Sequence, residues 1–425
     1  MKRTIWQQLV NWKNETDRKP LIISGARQVG KTWIMQEFGR MEYEDVIYLN
    51  CDDEPRAADL FAADYDMARI LLQLQAISGI KPRPGKTLII LDELQAVPRG
   101  LASLKYFYEK IPQYHVMVAG SMLGIALHQG TSFPVGKVDM ITLYPMDFRE
   151  FLMAMGHEDW AEWISEQRWA VLSIVASKLV NLLRQYYFTG GMPKVVATFI
   201  EEQDLSRVRQ LQLSLLEAYR NDISKHAPTE QVPRINMVMR SIPSQLAKDN
   251  KKFIYGVLKP GARAREFEIA IQWLMDCGIL YKVSRVSEAT APLAFYEDLS
   301  AFKLYFLDCG LLAALAGADS GQMLIGNNVF TGFKGAFTEQ YVMQQLLCRG
   351  VGNIYYWTSG MTAEVDFIIQ RQGHVVPIEV KAEGNVKAKS LKLLVDRHPG
   401  MHGVRFSMLE FKQQDWVTNY PLYAL

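Results

Sequence analysis

Short apolar runs alternate with amphipathic stretches from residue 21 to about residue 145. The runs predict buried strands, and the stretches between them, such as Ala68–Ser78 and Leu101–Lys110, have the spacing of helices. Strands that alternate with helices form a parallel sheet covered on both faces. Residues 1–145 are therefore predicted to be a doubly wound α/β domain. Its predicted strands are Leu21–Gly25, Val46–Asn50, Thr87–Asp92, His115–Ala119 and Asp139–Tyr144.

The pattern changes three times after residue 145, and the chain is predicted to be a multidomain α/β protein. Residues 146–228 are helical and aromatic-rich, broken at Thr189–Pro193, and are predicted to form a helical lid. Residues 229–328 contain short helices, a helix-turn-strand at Cys277–Val283 and a polar hairpin-like stretch at Ser284–Pro292, which together predict a winged-helix-like domain. The apolar positions there are expected in its core; they are Phe267, Ile269, Ile271, Trp273, Leu274 and Ile279.

A further α/β pattern occupies residues 329–425. It predicts a helix, three strands, a second helix and a last strand. In chain order these are Gly335–Leu347, Ile354–Trp357, Glu364–Ile369, Val375–Val380, Lys389–Asp396 and Val404–Met408.

Composition narrows the class of protein without naming a function. The 425 residues are 49% hydrophobic and 22% charged, as in ordinary globular proteins, and the net charge of +2 means that any nucleic-acid-binding face must be a local patch. The four cysteines are far apart, which favours reduced thiols. No apolar run is long enough to span a bilayer, so we expect a cytoplasmic protein with no membrane contact.

A phosphate-binding loop follows the first predicted strand. Residues Gly25–Thr32 fit the pattern G-x-x-x-x-G-K-S/T, in which backbone N–H groups surround phosphates, Lys31 reaches the β- and γ-phosphates and the Thr32 hydroxyl ligates Mg²⁺. ATP or ADP is the expected ligand. The residues expected to contact it are Gly25, Ala26, Arg27, Gln28, Val29, Gly30, Lys31, Thr32 and Trp33. For Arg27, a phosphate and a neighbouring carboxylate are equally good partners.

Two carboxylates end the third predicted strand. Asp92 is expected to hold Mg²⁺, and Glu93 to polarise the water that attacks the γ-phosphate. Ser121 follows the next strand and is either a sensor of the γ-phosphate or a turn serine.

Several segments in a fixed order resemble the prokaryotic AAA-type ATP-binding proteins that carry a C-terminal domain of unknown function, which are similar to archaeal-type ATPases with a nuclease-like tail. They are Gly25–Thr32, Leu88–Glu93, Gly120-Ser121, Val135–Val138, Leu143–Phe151, Gly190–Pro193 and Phe302–Leu312. The resemblance implies an ATPase core in residues 1–145. It also implies an arginine where this chain has Lys137, which supplies charge but no bidentate fork.

A second constellation lies near the C-terminus. Glu364 and Asp366 share one face of a predicted strand, and Glu379 and Lys381 share one face of the next. With Glu339 on the preceding helix, this order resembles the PD-(D/E)XK nuclease fold, a restriction-endonuclease-like α/β domain. The resemblance implies that Asp366, Glu379 and Glu339 ligate Mg²⁺ or Mn²⁺ and that Lys381 activates water. Ser390 and Lys392 could contact phosphate. Solvated Glu and Lys on an edge strand would give the same pattern.

Two functional hypotheses follow. In the first, ATP hydrolysis gates a metal-dependent nuclease acting on nucleic acid. In the second, the chain is an ATP-dependent switch whose tail only binds a partner or nucleic acid. Both hypotheses are compatible with a homo-oligomer. Basic residues beside the winged-helix-like part either meet phosphates or form a solvated face; they are Lys251, Lys252, Lys259, Arg263 and Arg265.

Overall fold

The computed structural model describes residues 1–120, 133–319, 331–360, 363–382 and 387–425, with the side chains of residues 331–333 left out. The chain divides into two units. The N-terminal unit comprises Lys2–Tyr144 with Asp276–Gly278, and the C-terminal unit comprises Met1, Pro145–Met275 and Ile279–Leu425. The finer division at residues 228 and 328 stays a prediction.

The N-terminal unit contains the predicted alternation of strands and helices. Its strands are β1 (Leu21–Ser24), β2 (Asp45–Asn50), β3 (Thr87–Asp92), β4 (His115–Ala119) and β5 (Asp139–Thr142). Its helices are α1 (Trp6–Lys13), α2 (Lys31–Glu42), α3 (Ala57–Ala62), α4 (Met67–Ser78) and α5 (Gly100–Lys110), with a 3-10 turn at Leu94–Ala96.

These strands form one parallel sheet in the order β2-β3-β4-β1-β5, which confirms the predicted parallel sheet. Every residue of β3 and β4 is buried, as expected for central strands covered on both faces. Because β4 lies between β1 and β3, Ala119 is in register with Ile23 on one side and Asp92 on the other. The carboxyl ends of these strands therefore meet at one edge of the sheet.

The remaining elements, through the C-terminal unit, number ten helices and eight strands among the described residues. The helices are α6 (Phe148–Ala154), α7 (Glu158–Ser165), α8 (Trp169–Thr189), α9 (Pro193–Glu202), α10 (Leu205–His226), α11 (Val232–Leu246), α12 (Ala264–Asp276), α13 (Cys309–Leu315), α14 (Thr331–Cys348) and α15 (Lys389–Arg397). The strands are β6 (Leu280–Val286), β7 (Glu297–Phe306), β8 (Ile354–Thr358), β9 (Glu364–Arg371), β10 (His374–Val380), β11 (Gly403–Ser407), β12 (Lys412–Gln413) and β13 (Val417–Pro421). Short 3-10 turns occur at Tyr255–Val257, Leu293–Tyr296 and Leu422–Ala424.

All eight of these strands belong to one mixed sheet, in the order β12-β13-β11-β10-β9-β8-β6-β7. The hairpin β6–β7 is antiparallel, and β6 pairs in parallel with β8. The hairpin of the predicted winged-helix-like part therefore continues the sheet of the C-terminal strands. The winged-helix and nuclease-fold assignments stay predictions.

Helix α14 is fixed in this unit by buried amide side chains. Gln340 donates to the carbonyl of Phe306 (2.6 Å) and accepts from its N–H (2.8 Å). One turn later Gln344 accepts from the N–H of Cys309 (2.9 Å) and donates to the carboxylate of the fully buried Asp308 (3.1 Å). Buried amides that are satisfied in this way fix the register of a helix, so the position of Glu339 on α14 is set by its neighbour Gln340.

One core prediction is wrong. Ile269 is 61% exposed, because α12 turns this position to solvent while Phe267, Ile271 and Leu274 are buried. No helix of the described residues is long and apolar enough to cross a membrane.

Candidate functional sites

The phosphate-binding loop connects β1 to α2. Gly25 has a φ of +136°, and a Cβ at this position would lie 2.2 Å from the carbonyl oxygen of Leu143. Gly30, with a φ of +97°, precedes the first residue of α2. Both positions need glycine, since side chains rarely adopt positive φ and the first has no room for one. The loop thus has the backbone that its sequence pattern predicts.

Lys31 is turned onto its own loop. Its Nζ donates to the carbonyls of Gly25 (2.9 Å) and Ala26 (2.8 Å), and the residue is 6% exposed. Burial lowers the pKa of Lys31 to about 8, against the opposing effect of Glu93 and Asp92. The ammonium group is therefore bound by two backbone carbonyls of its own loop. In a nucleotide complex, phosphate oxygens would take the place of these carbonyls.

Thr32 and Asp92 meet at the edge of the sheet, as predicted for a shared Mg²⁺ site. The Thr32 Oγ1 donates to Asp92 Oδ2 at 2.6 Å, and the Tyr48 hydroxyl donates to the same oxygen at 3.1 Å. Asp92 is 5% exposed. Hydroxyl and carboxylate oxygens are the hard ligands that Mg²⁺ prefers, so the residues fit this ion. Tyr48 was not predicted; it lies on β2, in register with Ile90, two residues before Asp92 on β3.

Glu93 follows β3 in a strained conformation. Its φ of +52° is uncommon for a residue with a side chain, and its N–H donates to the carbonyl of Ala119 at 2.7 Å. Its carboxylate accepts from the Gln95 side chain. Strain of this kind is concentrated at functional sites, which agrees with the role predicted for Glu93 beside Asp92.

Arg3 is a residue that the sequence did not single out. Its guanidinium donates to the carbonyl of Val29 inside the loop (3.0 Å) and to the carbonyl of Tyr144 beyond β5 (2.7 Å). The residue is 8% exposed. Arg3 therefore links the phosphate-binding loop to the chain that follows β5, and nothing in the local pattern of Met1–Ile5 indicated this.

Lys137 does not lie at this edge of the sheet. Lys137 pairs with Glu109 (3.0 Å) and precedes β5, whose first residue, Asp139, is aligned with Leu21 at the start of β1. Because the loop follows the end of β1, Lys137 lies at the opposite end of the sheet from it. Ser121 lies outside the described residues.

Comparison with known families agrees with this geometry. Residues 17–152 match the family model of the AAA domain. The N-terminal unit is therefore similar to AAA-type P-loop ATPase domains. The match supports ATP binding and hydrolysis, and such domains usually use Mg²⁺. Beyond the AAA domain, residues 180–322 match a domain of unknown function, DUF8612, and residues 334–424 match another, DUF4143.

Solved structures resemble the chain only distantly. The Walker-type ATPase PABY2304 of Pyrococcus abyssi is 13% identical, with a TM-score of 0.47, over 74% of this chain and 95% of that one. The Thermotoga maritima RuvB Holliday junction branch migration motor is 12% identical, with a TM-score of 0.29, over 65% and 88%. The Aeropyrum pernix ORC1 protein in complex with DNA is 14% identical, with a TM-score of 0.25, over 74% and 90%. No curated protein matches the chain.

Beyond the AAA domain, the predicted carboxylates of the C-terminal unit form one buried group. Asp366 on β9 accepts a hydrogen bond from the N–H of Val380 on β10 at 2.8 Å. Its side chain also forms a hydrogen bond with the side chain of Glu339 on α14. Burial, together with the charges of Glu339 and Glu379, raises the pKa of Asp366 well above its usual range. Three elements thus bring the carboxyl groups of Glu339, Asp366 and Glu379 close enough to affect one another.

Two lysines that were not predicted for this site contact the same carboxylates. Lys303, on β7, is fully buried and lies 2.5 Å from Glu364 Oε1 and 3.8 Å from Glu339 Oε2. Lys251, before the turn at Tyr255–Val257, donates to Glu339 Oε1 at 2.6 Å. Although burial disfavours its charged form, these two ammonium groups lower the pKa of Glu339. Lys251 is therefore paired with a buried carboxylate and is not part of a solvated face, while its contact with phosphate stays a prediction.

Lys381 completes what we call the carboxylate–lysine cluster. Its Nζ lies 2.6 Å from Glu379 Oε1, as the alternation along β10 predicts. Glu379 is 5% exposed, and its Oε2 is buried without a hydrogen-bond partner among the described residues. The cluster consists of Glu339, Glu364, Asp366, Glu379, Lys251, Lys303 and Lys381.

The cluster partly fits a divalent cation. Its carboxylate oxygens are suitable ligands, and the buried Glu379 Oε2 has no hydrogen-bond partner in the part of the chain that the structure describes. Within the described ranges, however, no three His, Cys, Asp or Glu side chains are arranged to hold a metal ion. Lysines instead contact Glu339, Glu364 and Glu379. Of the predicted phosphate contacts, Lys392 pairs with Asp396 on its own helix.

Proposed function

We propose that this chain is a Mg²⁺-dependent ATPase whose C-terminal unit uses the carboxylate–lysine cluster to hydrolyse phosphodiester bonds in nucleic acid with a divalent cation. The observation that carries the nuclease part is the buried, unpartnered Oε2 of Glu379. A buried carboxylate oxygen without a partner costs free energy unless a ligand satisfies it. Asp366, whose pKa the charge of Glu379 raises, and Lys381 supply the other groups that such hydrolysis requires.

At the nucleotide site, each residue has a distinct role. Thr32 and Asp92 would hold Mg²⁺, directly or through water, and Lys31 would exchange the carbonyls of its loop for the β- and γ-phosphates. Glu93 would accept the proton of the attacking water. Since Lys137 lies at the far end of the sheet from the loop, a finger role for it would require a second copy of the chain.

At the cluster, Asp366 and Glu379 would hold Mg²⁺ or Mn²⁺, with Glu339 as a further carboxylate beside Asp366. The ion would neutralise charge on the scissile phosphate. Lys381 would orient the water and stabilise the charge that develops on the phosphate. The net charge of +2 gives no broad positive surface, so recognition of nucleic acid would rest on local contacts of this kind.

A second candidate function has its own supporting observation. Lys303 is fully buried against Glu364 and Glu339, an arrangement that an ion-pair network needs and a metal site does not. In this case the chain is an ATP-dependent switch, and the cluster only stabilises the fold that binds a partner.

A nuclease assay separates the two candidates. The full chain would be incubated with single- and double-stranded DNA and RNA, with Mg²⁺ or Mn²⁺, with and without ATP. Under the proposed function the protein cuts at least one substrate, Lys381→Ala abolishes cutting, and Lys412→Ala, an exposed lysine on the edge strand β12, does not. Equal traces of cleavage in all three proteins would remove the nuclease and leave the switch.

A second assay tests the AAA domain alone. Glu93→Gln is expected to keep ATP affinity and to slow turnover by about 100-fold or more, the usual contribution of a general base. Lys31→Ala is expected to lose ATP affinity. Unchanged turnover in Glu93→Gln would remove Glu93 as the base.

A further inference from the structure

The two lysines that contact Glu339 are held in different ways. Lys303 lies within a strand, is fully buried and contacts two carboxylates. Lys251 lies in the segment between α11 and α12, its side chain is 14% exposed, and among the described residues it forms one ion pair, with Glu339 Oε1. On leaving the cluster Lys251 would give up fewer ion pairs than Lys303, and its side chain is the more exposed of the two.

The backbone near Lys251 is fixed independently of that ion pair. The N–H of Phe253 donates to the carbonyl of Phe302 at 2.7 Å, and the two rings stack with centroids 5.6 Å apart. The N–H of Ile254 donates to Gln245 Oε1 at 3.1 Å. The side chain of Lys251 can therefore leave Glu339 while its segment stays in place.

A cation at the cluster would compete with Lys251 for the negative charge of the carboxylates. Glu379 Oε2 is buried and unpartnered in the described structure, and Glu379 and Asp366 interact with Glu339, the partner of Lys251. A divalent ion at these oxygens would bring two further positive charges beside the ammonium group, and like charges at such distances repel strongly in a buried site.

We propose that Lys251 is an internal counter-ion that occupies Glu339 in the metal-free protein and is displaced when a divalent cation binds at Glu379 and Asp366. The inference rests on the proposed function, because it assumes that the cluster is a metal site. Lys251 would then keep the site closed to weakly bound cations.

Binding of Mn²⁺ to the nucleotide-free full chain tests this directly, with the electron paramagnetic resonance signal of free Mn²⁺ as the readout. The Mn²⁺ binding that the wild type shows and Asp366→Asn lacks is the binding at the carboxylate–lysine cluster. Lys251→Met and Lys251→Gln are expected to tighten this binding by about tenfold or more, since they remove a competing charge. Lys251→Arg, which keeps the charge and can pair in a bidentate way, is expected to weaken it. Lys252→Met is the matched neighbour and should leave it unchanged.

The outcomes separate this inference from the proposed function. If Asp366→Asn abolishes Mn²⁺ binding but all Lys251 variants bind as the wild type does, the metal site stands and the counter-ion role is wrong. If neither the wild type nor Lys251→Gln binds Mn²⁺ at the cluster, the metal site is absent and both proposals are wrong. Should the uncharged variants fail to fold, as circular dichroism would show, unchanged binding in Lys251→Arg would overturn the inference.

Discussion

Thr32 donates a 2.6 Å hydrogen bond to Asp92, and this bond joins the first turn of α2 to the end of β3. These residues are 60 positions apart in the chain. In the sheet, β4 lies between β3 and β1, the strand that the phosphate-binding loop follows. The hydrogen bond therefore connects the end of this loop to the acidic end of β3, across β4. A hydroxyl and a carboxylate oxygen are the hard ligands that Mg²⁺ prefers.

The first prediction concerns the hydroxyl of Thr32. Thr32→Val keeps the shape of the side chain but removes the hydrogen bond and the oxygen ligand. We expect ATP turnover at limiting Mg²⁺ to fall about 10- to 100-fold, the usual cost of disturbing a metal site. Turnover measured across a Mg²⁺ series would show it, and Thr32→Ser should restore most of the activity. Wild-type turnover in Thr32→Val would place the Mg²⁺ site elsewhere.

The second prediction concerns the close approach of Gly25 to β5. Gly25→Ala combines a positive φ with a Cβ 2.2 Å from the carbonyl oxygen of Leu143. We expect a loss of about 3 kcal/mol or more in the free energy of unfolding, from backbone strain and overpacking together. Chemical denaturation of the full chain would measure it.

Gly136→Ala is the matched control for the second prediction. Gly136 also has a positive φ, +73°, but a Cβ there would meet nothing within 4 Å. It should therefore lose only about 1 kcal/mol, the cost of the backbone conformation alone. Equal losses in the free energy of unfolding of the two variants would mean that the backbone of Leu143 moves away from the added Cβ at no cost.

Local patterns were sufficient to predict the AAA domain. One short segment contains the whole phosphate-binding pattern, Gly25, Gly30, Lys31 and Thr32. The apolar run before Asp92 predicts that a buried strand ends there. Whether these segments meet depends only on the parallel order of the strands, which the alternation of helices and strands implies. Tyr48 and Arg3 were missed because neither belongs to a pattern at its own position.

The cluster shows where local patterns are insufficient. Alternation along β10 places Glu379 beside Lys381, and their ion pair follows. Lys303 and Lys251, in contrast, are 61 and 88 positions from Glu364 and Glu339. Only the pairing of β6 with β8 brings β7 into the same sheet, and no short segment encodes that pairing. A lysine in the middle of the apolar strand Ala301–Phe306 was the one available signal.

The third prediction concerns Lys303. Lys303→Met leaves the carboxylate of Glu364 without its ion pair and removes one of the positive charges beside Glu339. We expect a loss of about 3–5 kcal/mol in the free energy of unfolding, as when one partner of a buried pair is removed. Urea denaturation would measure it, and adding Glu364→Gln should recover part of the loss.

Lys282→Met provides the comparison for the third prediction. Lys282 lies on β6, with its Nζ 4.7 Å from the ring centroid of Phe302, and has no ion pair among those found in the described residues. We expect a loss below about 1 kcal/mol, the scale of an exposed cation–π contact. A loss in Lys303→Met no larger than this would show that the cluster does not depend on its buried cation.

The last prediction concerns pH and His115, the first residue of β4. Burial, followed by the charges of Arg18 and Lys13, lowers the pKa of His115 from 6.5 to about 4. Its Nδ1 shares a 2.7 Å hydrogen bond with the hydroxyl of Tyr43. Because the pKa is lower in the folded protein, the unfolded chain binds the proton first as the pH falls. The stability contributed by neutral His115 is therefore complete above pH 6.5 and is lost between pH 6.5 and about 4.

Denaturation of the wild type and His115→Gln across this pH range isolates the effect, since the carboxylates titrate alike in both proteins. We expect the wild type to lose about 1–2 kcal/mol more than His115→Gln between pH values of about 7.5 and 4.5. Tyr43→Phe keeps the imidazole in its buried position and should retain most of the pH dependence. Identical pH profiles for the wild type and His115→Gln would mean that the imidazole accepts its proton within the folded sheet, against the charges of Arg18 and Lys13 that oppose it.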